Sequence, residues 1–178
     1  KILFVSHDGN RAGAQLFLLQ VVRYFHDKNH DCHVLFLGDG ILIHDFNLYA
    51  KTYVWQSTPK RNSIVSKLKA PKARLQDSLT TYIFDWVYVN TIAASPIISW
   101  LNTWNKSPLV AHIHELQYSI SMYSTIEHRT QLFERANRII ACSNSVKDNL
   151  LNVNQIPKNK LITIHSFVDN QRVLERIS

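Results

Sequence analysis

Short apolar segments recur along this chain with helical segments between them, and that alternation is what most restricts its fold. The strand-like segments are rich in Val and Ile and continuous, as expected for strands that helices cover on both faces. They span residues 2–5, 33–37, 52–55, 86–89, 109–113, 138–142 and 161–164. Helical patterning covers 14–25, 95–104, the stretch from after 113 to about 135, and 145–151. Strand–helix alternation predicts βαβ units, right-handed crossovers and a parallel sheet, hence a doubly wound α/β domain.

Two of the predicted helices begin with recognisable capping signals. Ser95 followed by Pro96 predicts an N-cap with proline at the first helical position. Ser143 or Ser145 can cap the helix that follows the 138–142 strand. Both signals follow a predicted strand, which agrees with the alternation.

Length and composition indicate one globular domain over residues 1–178. The 46% hydrophobic content excludes a disordered chain, and no apolar run reaches the roughly 18 residues that a membrane-spanning helix needs. Lys1 is not a methionine and no signal-peptide pattern follows it, so we expect a trimmed N-terminus. Cys32 and Cys142 lie far apart, each in or beside an apolar run, which predicts buried free thiols. We therefore expect a cytoplasmic or cytosol-facing protein.

The net positive charge is concentrated in residues 51–74, called here the basic segment. The chain's net charge is +7, and no acidic residue occurs between Asp45 and Asp77. That interval contains seven basic residues, Lys51, Lys60, Arg61, Lys67, Lys69, Lys72 and Arg74. Apolar residues at 64, 65 and 68 lie between the charges. The pattern fits either a solvated helix face or a surface for anionic lipid on the cytosolic side of a membrane. We predict no nucleic-acid partner.

Polar residues follow most of the predicted strands. Ligands of doubly wound folds bind beyond the carboxyl ends of the strands, a region called here the carboxyl edge. The residues there are Ser6-His7-Asp8-Gly9, Asn90-Thr91, His114-Glu115, Ser143-Asn144 and His165-Ser166. Nearly all of these side chains can form hydrogen bonds, so the sequence predicts a functional surface at this edge.

The loop after the first strand, SHDGNRAGAQ, contains Gly9 and Gly13, two of the chain's four glycines. Their spacing is not that of the dinucleotide-binding fingerprint, and the loop lacks the Gly-Lys-Ser/Thr of a P-loop. Gly13 lies where a helix begins, and a helix N-terminus offers free N–H groups and partial positive charge to an anion. From the residues alone, a phosphate-binding loop and a simple strand-to-helix turn both remain open.

The segment VAHIHE carries two histidines near the end of the 109–113 strand. Residues two apart in a strand share a face, so His112 and His114 point one way, and Ile113 and Glu115 the other. A zinc site would need further ligands, and no metal-hydrolase pattern surrounds the pair. We therefore favour one structural histidine, with His114 facing a cleft.

Four segments, in this order, resemble the N-terminal domain of a retaining glycosyltransferase of family 4, with the GT-B fold. They are ILFVSHDGNRAGAQLFLLQVVRYF, VYVNTIAAS, LVAHIHEL and ANRIIACSNSVKDNLLNVNQIPKNKLITIHSFVD. Two departures occur. The closing pattern reads His165-Ser166-Phe167-Val168-Asp169, with Ser and Phe in place of the family's Asn and Gly. Gly13 is followed by Ala14 where many relatives have Gly-Gly.

The resemblance implies a Rossmann-like three-layer α/β/α domain with a mainly parallel sheet, the N-terminal half of a GT-B enzyme. It implies a nucleotide-sugar donor, a glycan or lipid-linked acceptor, a C-terminal donor-binding domain outside this chain, and no metal cofactor. Gly13 and Ala14 would approach the donor diphosphate, and His114 would contact the transferred sugar. The acceptor side would be lined by His7, Asp8, Asn10 and Glu115. The isolated fragment is expected to transfer no sugar.

Two other functions remain as alternatives. A non-catalytic binding or scaffolding domain could retain the fold, and the altered closing pattern is compatible with that. A dinucleotide-dependent oxidoreductase is disfavoured, because the spacing of the glycines is not that of the dinucleotide-binding fingerprint.

Overall fold

The structure is a computed structural model that describes residues 1–56 and 78–167. Within these residues, seven strands form one parallel sheet in the order β3-β2-β1-β4-β5-β6-β7. The strands are β1 (Ile2–Ser6), β2 (Cys32–Gly38), β3 (Lys51–Gln56), β4 (Trp86–Asn90), β5 (Leu109–Ile113), β6 (Arg138–Ala141) and β7 (Leu161–Thr163). All seven predicted strands are therefore present, and the Rossmann-like α/β fold is confirmed.

Helices connect most of these strands, with two short 3₁₀ segments. They are α1 (Gly13–Asp27), α2 (Ile43–Phe46), α3 (Ile98–Trp104), α4 (Gln117–Tyr123), α5 (Ile126–Arg135) and α6 (Asn144–Asn152), and the 3₁₀ segments are Ile92–Ile97 and Lys158–Lys160. The helical stretch predicted up to residue 135 is divided into α4 and α5. Thr125 makes the division, because its hydroxyl accepts a hydrogen bond from the His128 N–H at 3.1 Å and caps α5.

The predicted helix start at Ser95 is wrong. Ser95 and Pro96 both lie inside the 3₁₀ segment, which begins directly after Thr91. Proline fits such a segment because its fixed φ is compatible with a tight turn, so the Ser-Pro signal marked the interior of the turn instead of its first residue. The other capping prediction is confirmed, since the Ser143 hydroxyl accepts from the Val146 N–H at 3.2 Å.

Apolar side chains on both faces of the sheet explain why the strands do not alternate in polarity. Val5 is in register with Leu35 and Val89, and all three are fully buried in one cluster beneath the 3₁₀ segment and α3. Phe4 points to the other face and joins the cluster that packs against α1. Two separate apolar clusters thus hold helices on opposite sides of one sheet.

The strand order reverses beside β1. The chain passes outward from β1 to β2 and β3, and then returns to add β4 on the other side of β1. Such a reversal opens a crevice at the carboxyl ends of the strands beside it. The residues after β1 and β4 therefore come together with the N-terminus of α1.

Both cysteines are free thiols, as predicted, but only Cys32 is buried, whereas Cys142 is partly exposed. Burial raises the pKa of the Cys32 thiol to about 11, so it stays protonated. No helix in the part of the chain that the structure describes is long and apolar enough to cross a membrane. Of the basic segment, only residues 51–56 are described. There the Lys51 ammonium lies 3.6 Å from an Asp31 carboxylate oxygen, and the rest of the segment, with the lipid-surface prediction, lies outside the described residues.

Candidate functional site

The two glycines of the first loop have different surroundings. Gly9 packs against the loop that follows β2. Its N–H donates to the Asp39 carbonyl at 3.3 Å, and its carbonyl accepts from the Leu42 N–H at 2.8 Å. A Cβ on Gly9 would lie 2.6 Å from Cγ1 of Ile43, and a Cβ on Gly40 would overlap the Gly9 backbone. Gly9 is therefore required by the packing of two loops against each other.

Gly13, in contrast, faces open space at the first residue of α1. A Cβ added there would meet no atom within 4 Å. The preceding Ala12 has extended backbone and no side chain that could cap the helix. No side chain caps the N-terminus of α1, and the fold does not need a glycine at its first residue, which favours the anion-binding interpretation of this loop.

Asp8 is held by hydrogen bonds from two sides. Its Oδ1 accepts from the Asn10 N–H at 3.0 Å and from Nε2 of Gln15 at 2.5 Å, and its Oδ2 accepts from Nδ2 of Asn10 at 2.6 Å. Burial raises the pKa of Asp8, but these hydrogen bonds outweigh it and leave the pKa below its usual 3.8. Asp8 is therefore an anion at neutral pH.

The same Gln15 amide positions His7. Its Nε2 lies 3.1 Å from Nε2 of His7, and because the amide nitrogen donates, the histidine nitrogen accepts. In the neutral ring the proton then sits on Nδ1, 3.3 Å from the Thr91 hydroxyl. Sequence reasoning missed Gln15. The sequence could have indicated it, because Gln15 is the third residue of α1, and a glutamine at that position can bond to the residues that precede the helix.

Thr91 has a backbone conformation that threonine rarely adopts, with φ 73° and ψ 153°. The Thr91 N–H donates to the His112 carbonyl of β5 at 2.9 Å. The Thr91 hydroxyl lies 3.3 Å from Nδ1 of His7. A β-branched residue at positive φ costs about 1–3 kcal/mol, and such strain concentrates at functional sites.

His112 and His114 stack on one face of β5, as the strand geometry predicts. Their ring centroids are 4.2 Å apart, and the Phe17 ring contacts both by its edge. Burial lowers the pKa of His112 to about 3, with a smaller contribution from His114, and burial lowers that of His114 to about 4. Both rings are neutral at physiological pH.

Asn90 connects His114 to the first turn of α1. Its Nδ2 donates to the Ala14 carbonyl at 3.0 Å, and its Oδ1 lies 3.0 Å from Nε2 of His114. Because the carbonyl can only accept, the amide orientation is determined, and Nε2 of His114 must carry the proton. Nδ1 of His114 is then an acceptor.

Glu115 lies on the other side of β5 from the histidines. One carboxylate oxygen accepts from the His114 N–H at 2.9 Å and from the Ile92 N–H at 3.3 Å, joining the end of β5 to the 3₁₀ segment. Burial raises the pKa of Glu115 against the opposing effect of these N–H groups. Among residues 1–56 and 78–167, no group of three or more His, Cys, Asp or Glu side chains is arranged to hold a metal ion.

A cavity of about 460 Å³ opens beside Asp8, at the carboxyl ends of β1, β2 and β3. Its wall is formed by His7, Asp8, Leu37, Gly38, Trp55, Ala93, Pro96, Ile97 and Trp100.

The residues of the closing pattern, 165–167, do not line this cavity. His165 and Ser166 are exposed, and Phe167 contacts Phe17 with ring centroids 5.4 Å apart. Val168 and Asp169 of the closing pattern lie outside the described residues.

Comparison with known families decides the membership of the chain. The family model for Glycosyltransferase Family 4 matches residues 11–172. The chain belongs to Glycosyltransferase Family 4. No curated protein sequence matches the chain significantly.

Solved glycosyltransferases share the fold of this family 4 chain at low sequence identity. The Anabaena protein Alr3699/HepE in complex with UDP and glucose is 18% identical with a TM-score of 0.67, covering 100% of this chain and 50% of its own. A glycosyltransferase from Rickettsia africae ESF-5 is 17% identical with a TM-score of 0.61, covering 99% and 48%. The lipopolysaccharide outer core galactosyltransferase WaaB is 13% identical with a TM-score of 0.65, covering 94% and 46%. The chain therefore spans about half the length of the structures that it matches, which are GT-B glycosyltransferases.

The structure brings most of the predicted family 4 site residues together. Asn90 joins His114 to Ala14, the neighbour of Gly13, whereas His7 and Asp8 form a second group around Gln15, with Asn10 bonded to Asp8. Glu115 stands apart from the second group, against the backbone of the 3₁₀ segment.

Proposed function

We propose that this chain is the acceptor-side domain of a retaining glycosyltransferase. In this proposal, a sugar passes from a nucleotide-sugar donor to a glycan or lipid-linked acceptor. The observation that carries the proposal is the connection through Asn90, because it sets a histidine at a fixed position relative to a helix N-terminus that no side chain caps. Sugar and diphosphate are adjacent parts of one donor, so a site for both needs such a rigid relation. The matched Anabaena structures contain UDP, glucose or UDP-glucose, which supports this class of donor.

On the donor side, the first turn of α1 would hold the diphosphate. Negative charge develops on the leaving diphosphate in the transition state, and free N–H groups aimed at it lower the barrier. Open space at Gly13 lets the diphosphate come close to the backbone. The proposal assigns this charge stabilisation to the helix and to a second domain, with no metal ion.

His114 would contact the transferred sugar as a neutral ring. Its Nε2 proton is already directed to Asn90, so Nδ1 is the atom that accepts a hydrogen bond from a sugar hydroxyl. The depressed pKa keeps this acceptor unprotonated across the physiological range.

On the acceptor side, Asp8 would orient the acceptor hydroxyl, with His7 and Asn10 beside it. The carboxylate is ionised, and it is held in place by Gln15 and Asn10. In this proposal the rate comes from placing donor and acceptor, without a protein nucleophile. Glu115 contributes by fixing the end of β5 against the 3₁₀ segment.

The test uses the full-length protein and a panel of nucleotide sugars that includes UDP-glucose. We expect release of the nucleoside diphosphate and a product whose anomeric configuration, measured by NMR, equals that of the donor. The variant Gly13→Ala separates binding from folding. Its added methyl group meets no protein atom within 4 Å, so stability should be unchanged, whereas the KM of the donor should rise because the methyl group keeps the diphosphate from the backbone. No consumption of any nucleotide sugar would favour the scaffolding alternative, and thermal stabilisation by NAD would favour the oxidoreductase.

We also propose that the basic segment holds the protein at an anionic membrane surface on the cytosolic side. Each basic residue near such a surface contributes about 1 kcal/mol. Co-sedimentation with vesicles that contain phosphatidylserine should exceed that with neutral vesicles, and equal binding to both would contradict the idea.

A further inference from the structure

His112 is a buried histidine next to His114 to which the proposed function gives no role. Only 1% of its surface is exposed, and among residues 1–56 and 78–167 its Nε2 has no hydrogen-bond partner. A leucine would fill the same part of the core without a buried nitrogen that lacks a partner, and such a nitrogen costs free energy in the folded protein. Packing alone therefore does not account for a histidine at this position.

Neighbours in β4 and α1 hold the His112 ring in place. From β4, the Tyr88 hydroxyl forms a hydrogen bond with Nδ1 of His112, and the Tyr88 ring packs against Phe4 with centroids 5.7 Å apart. From α1, the Phe17 ring meets the His112 ring at 84°, with centroids 5.1 Å apart. A ring that is held by a hydrogen bond and by packed neighbours is restricted to one rotamer. His112 therefore presents a fixed face to His114.

His114 is held at one atom by Asn90 and along one face by His112. The hydrogen bond from Nε2 to Oδ1 of Asn90 fixes a single point, about which the ring could still turn. The His112 ring stacks on the His114 ring, with centroids 4.2 Å apart and planes inclined by 29°. A stacked neighbour restricts the plane of a ring, so the two contacts together determine the direction of Nδ1 of His114.

The direction of this Nδ1 matters for the proposed function, because the atom would accept a hydrogen bond from the transferred sugar. A misplacement of about 1 Å at such a group can reduce a rate by about a hundredfold. We propose that His112, held by Tyr88, is a positioning residue that fixes the plane of the His114 ring and thereby directs Nδ1 of His114 to the transferred sugar. Because His112 is buried, it acts through His114 and not on the sugar itself. The inference rests on the proposed function.

A double-mutant cycle in the full-length protein tests the inference. Turnover is measured with the nucleotide sugar that the wild type consumes, and UDP-glucose is the first probe. His112→Leu should reduce kcat about tenfold, which corresponds to about 1.4 kcal/mol, with little change in the KM of the donor. His112→Phe keeps a flat ring that can stack and should retain most of kcat. In the His114→Ala protein, His112→Leu should have no further effect, because the ring that it positions is absent.

His33→Leu is the matched control for the loss of a buried histidine. His33 is fully buried, and its Nδ1 lies 3.0 Å from the hydroxyl of Tyr53, but it lies near the start of β2, away from the carboxyl edge. His33→Leu should therefore lower the melting temperature about as much as His112→Leu does and leave kcat unchanged. Tyr88→Phe removes only the hydroxyl that holds His112, so it should reduce kcat in the same direction as His112→Leu, but less.

Proton NMR of the His114 ring gives a readout besides turnover. The ring current of a stacked His112 shifts the His114 ring signals, so His112→Leu should remove this shift. An unchanged kcat in His112→Leu, or an equal reduction of kcat in the wild-type and His114→Ala proteins, would overturn the inference and leave the proposed function standing. A wild-type protein that consumes no nucleotide sugar would instead contradict the proposed function and, with it, this role of His112.

Discussion

The ends of β1 and β5 carry the same pair of residue types, a histidine followed by a carboxylate, in different surroundings. His7 and Asp8 lie beside an open cavity, and Asp8 is a stabilised anion. His114 and Glu115 are more enclosed, so burial lowers the pKa of the histidine and raises that of the carboxyl group. Depth at the same edge of one sheet thus separates a carboxylate whose pKa is lowered, Asp8, from a more buried histidine and carboxyl group whose charged forms are both disfavoured.

Removal of the His114 ring should affect turnover far more than folding. His114→Ala in the full-length protein should reduce kcat/KM by about a hundredfold or more, as for one lost transition-state contact. The side chain is partly buried, so the loss of stability should not exceed about 1–3 kcal/mol, the contribution of its hydrogen bond to Asn90, and the protein should stay folded. His26→Ala, at the other end of α1, is the control for both assays. A strongly destabilised His114→Ala protein with unchanged kcat would assign the ring to the core.

Replacing Asn90 should disturb the β5 pair without touching the β1 pair. Asn90→Leu leaves Nε2 of His114 without a partner and removes the side-chain donor to the Ala14 carbonyl, which should cost about 1–3 kcal/mol of unfolding free energy. The ¹⁵N shifts of His114 should report loss of the Nε2-protonated tautomer. Unchanged shifts in Asn90→Leu would show that another group determines the tautomer.

The two pairs should respond to acid in different pH windows. In the folded protein the pKa of His114 is about 4 and that of its neighbour His112 is about 3, against the usual 6.5. As the pH falls, the unfolded chain therefore takes up protons before the folded protein does. Stability should fall as pH drops from about 6.5 towards 4, by up to about 1.4 kcal/mol per pH unit for each histidine. Asp8 has a lowered pKa and should matter only below its usual 3.8.

Denaturant titrations from pH 7 to 4 measure this difference. His114→Asn should reduce the slope, whereas Asp8→Asn should leave it unchanged over that range. Glu115, with its raised pKa, acts in the opposite direction in both proteins, so the comparison with His114→Asn isolates the histidine. An equal slope in wild type and His114→Asn would contradict the assignment of a depressed pKa.

The smallest effect is expected at Thr91, which links His7 to the backbone of β5 at His112. Thr91→Gly removes the strain of a positive φ, about 1–3 kcal/mol, and adds chain entropy to the unfolded state, about 1 kcal/mol. The melting temperature should therefore rise slightly or stay constant. His7 loses the Thr91 hydroxyl, so acceptor KM should increase modestly. Clear destabilisation by Thr91→Gly would show that the hydroxyl outweighs the strain.

The amino-acid sequence by itself determined the alternation of strands and helices, because continuous runs of Val and Ile are a local pattern. It also determined that His112 and His114 share a face, since side chains alternate along any strand. The resemblance of four ordered segments identified the family that the comparison then confirmed.

Only the tertiary structure decided how those residues work together. The Gly9–Gly40 contact, the hydrogen bond from Thr91 to His112 and the link through Asn90 each join segments whose contact depends on strand order. Whether a carboxyl group at this edge has a lowered pKa, as Asp8 does, or a raised pKa, as Glu115 does, depends on its burial and hydrogen bonds, which are properties of the whole packed sheet. Sequence periodicity reports which face a side chain takes, whereas desolvation and hydrogen-bond partners are set by the neighbours that folding brings to it.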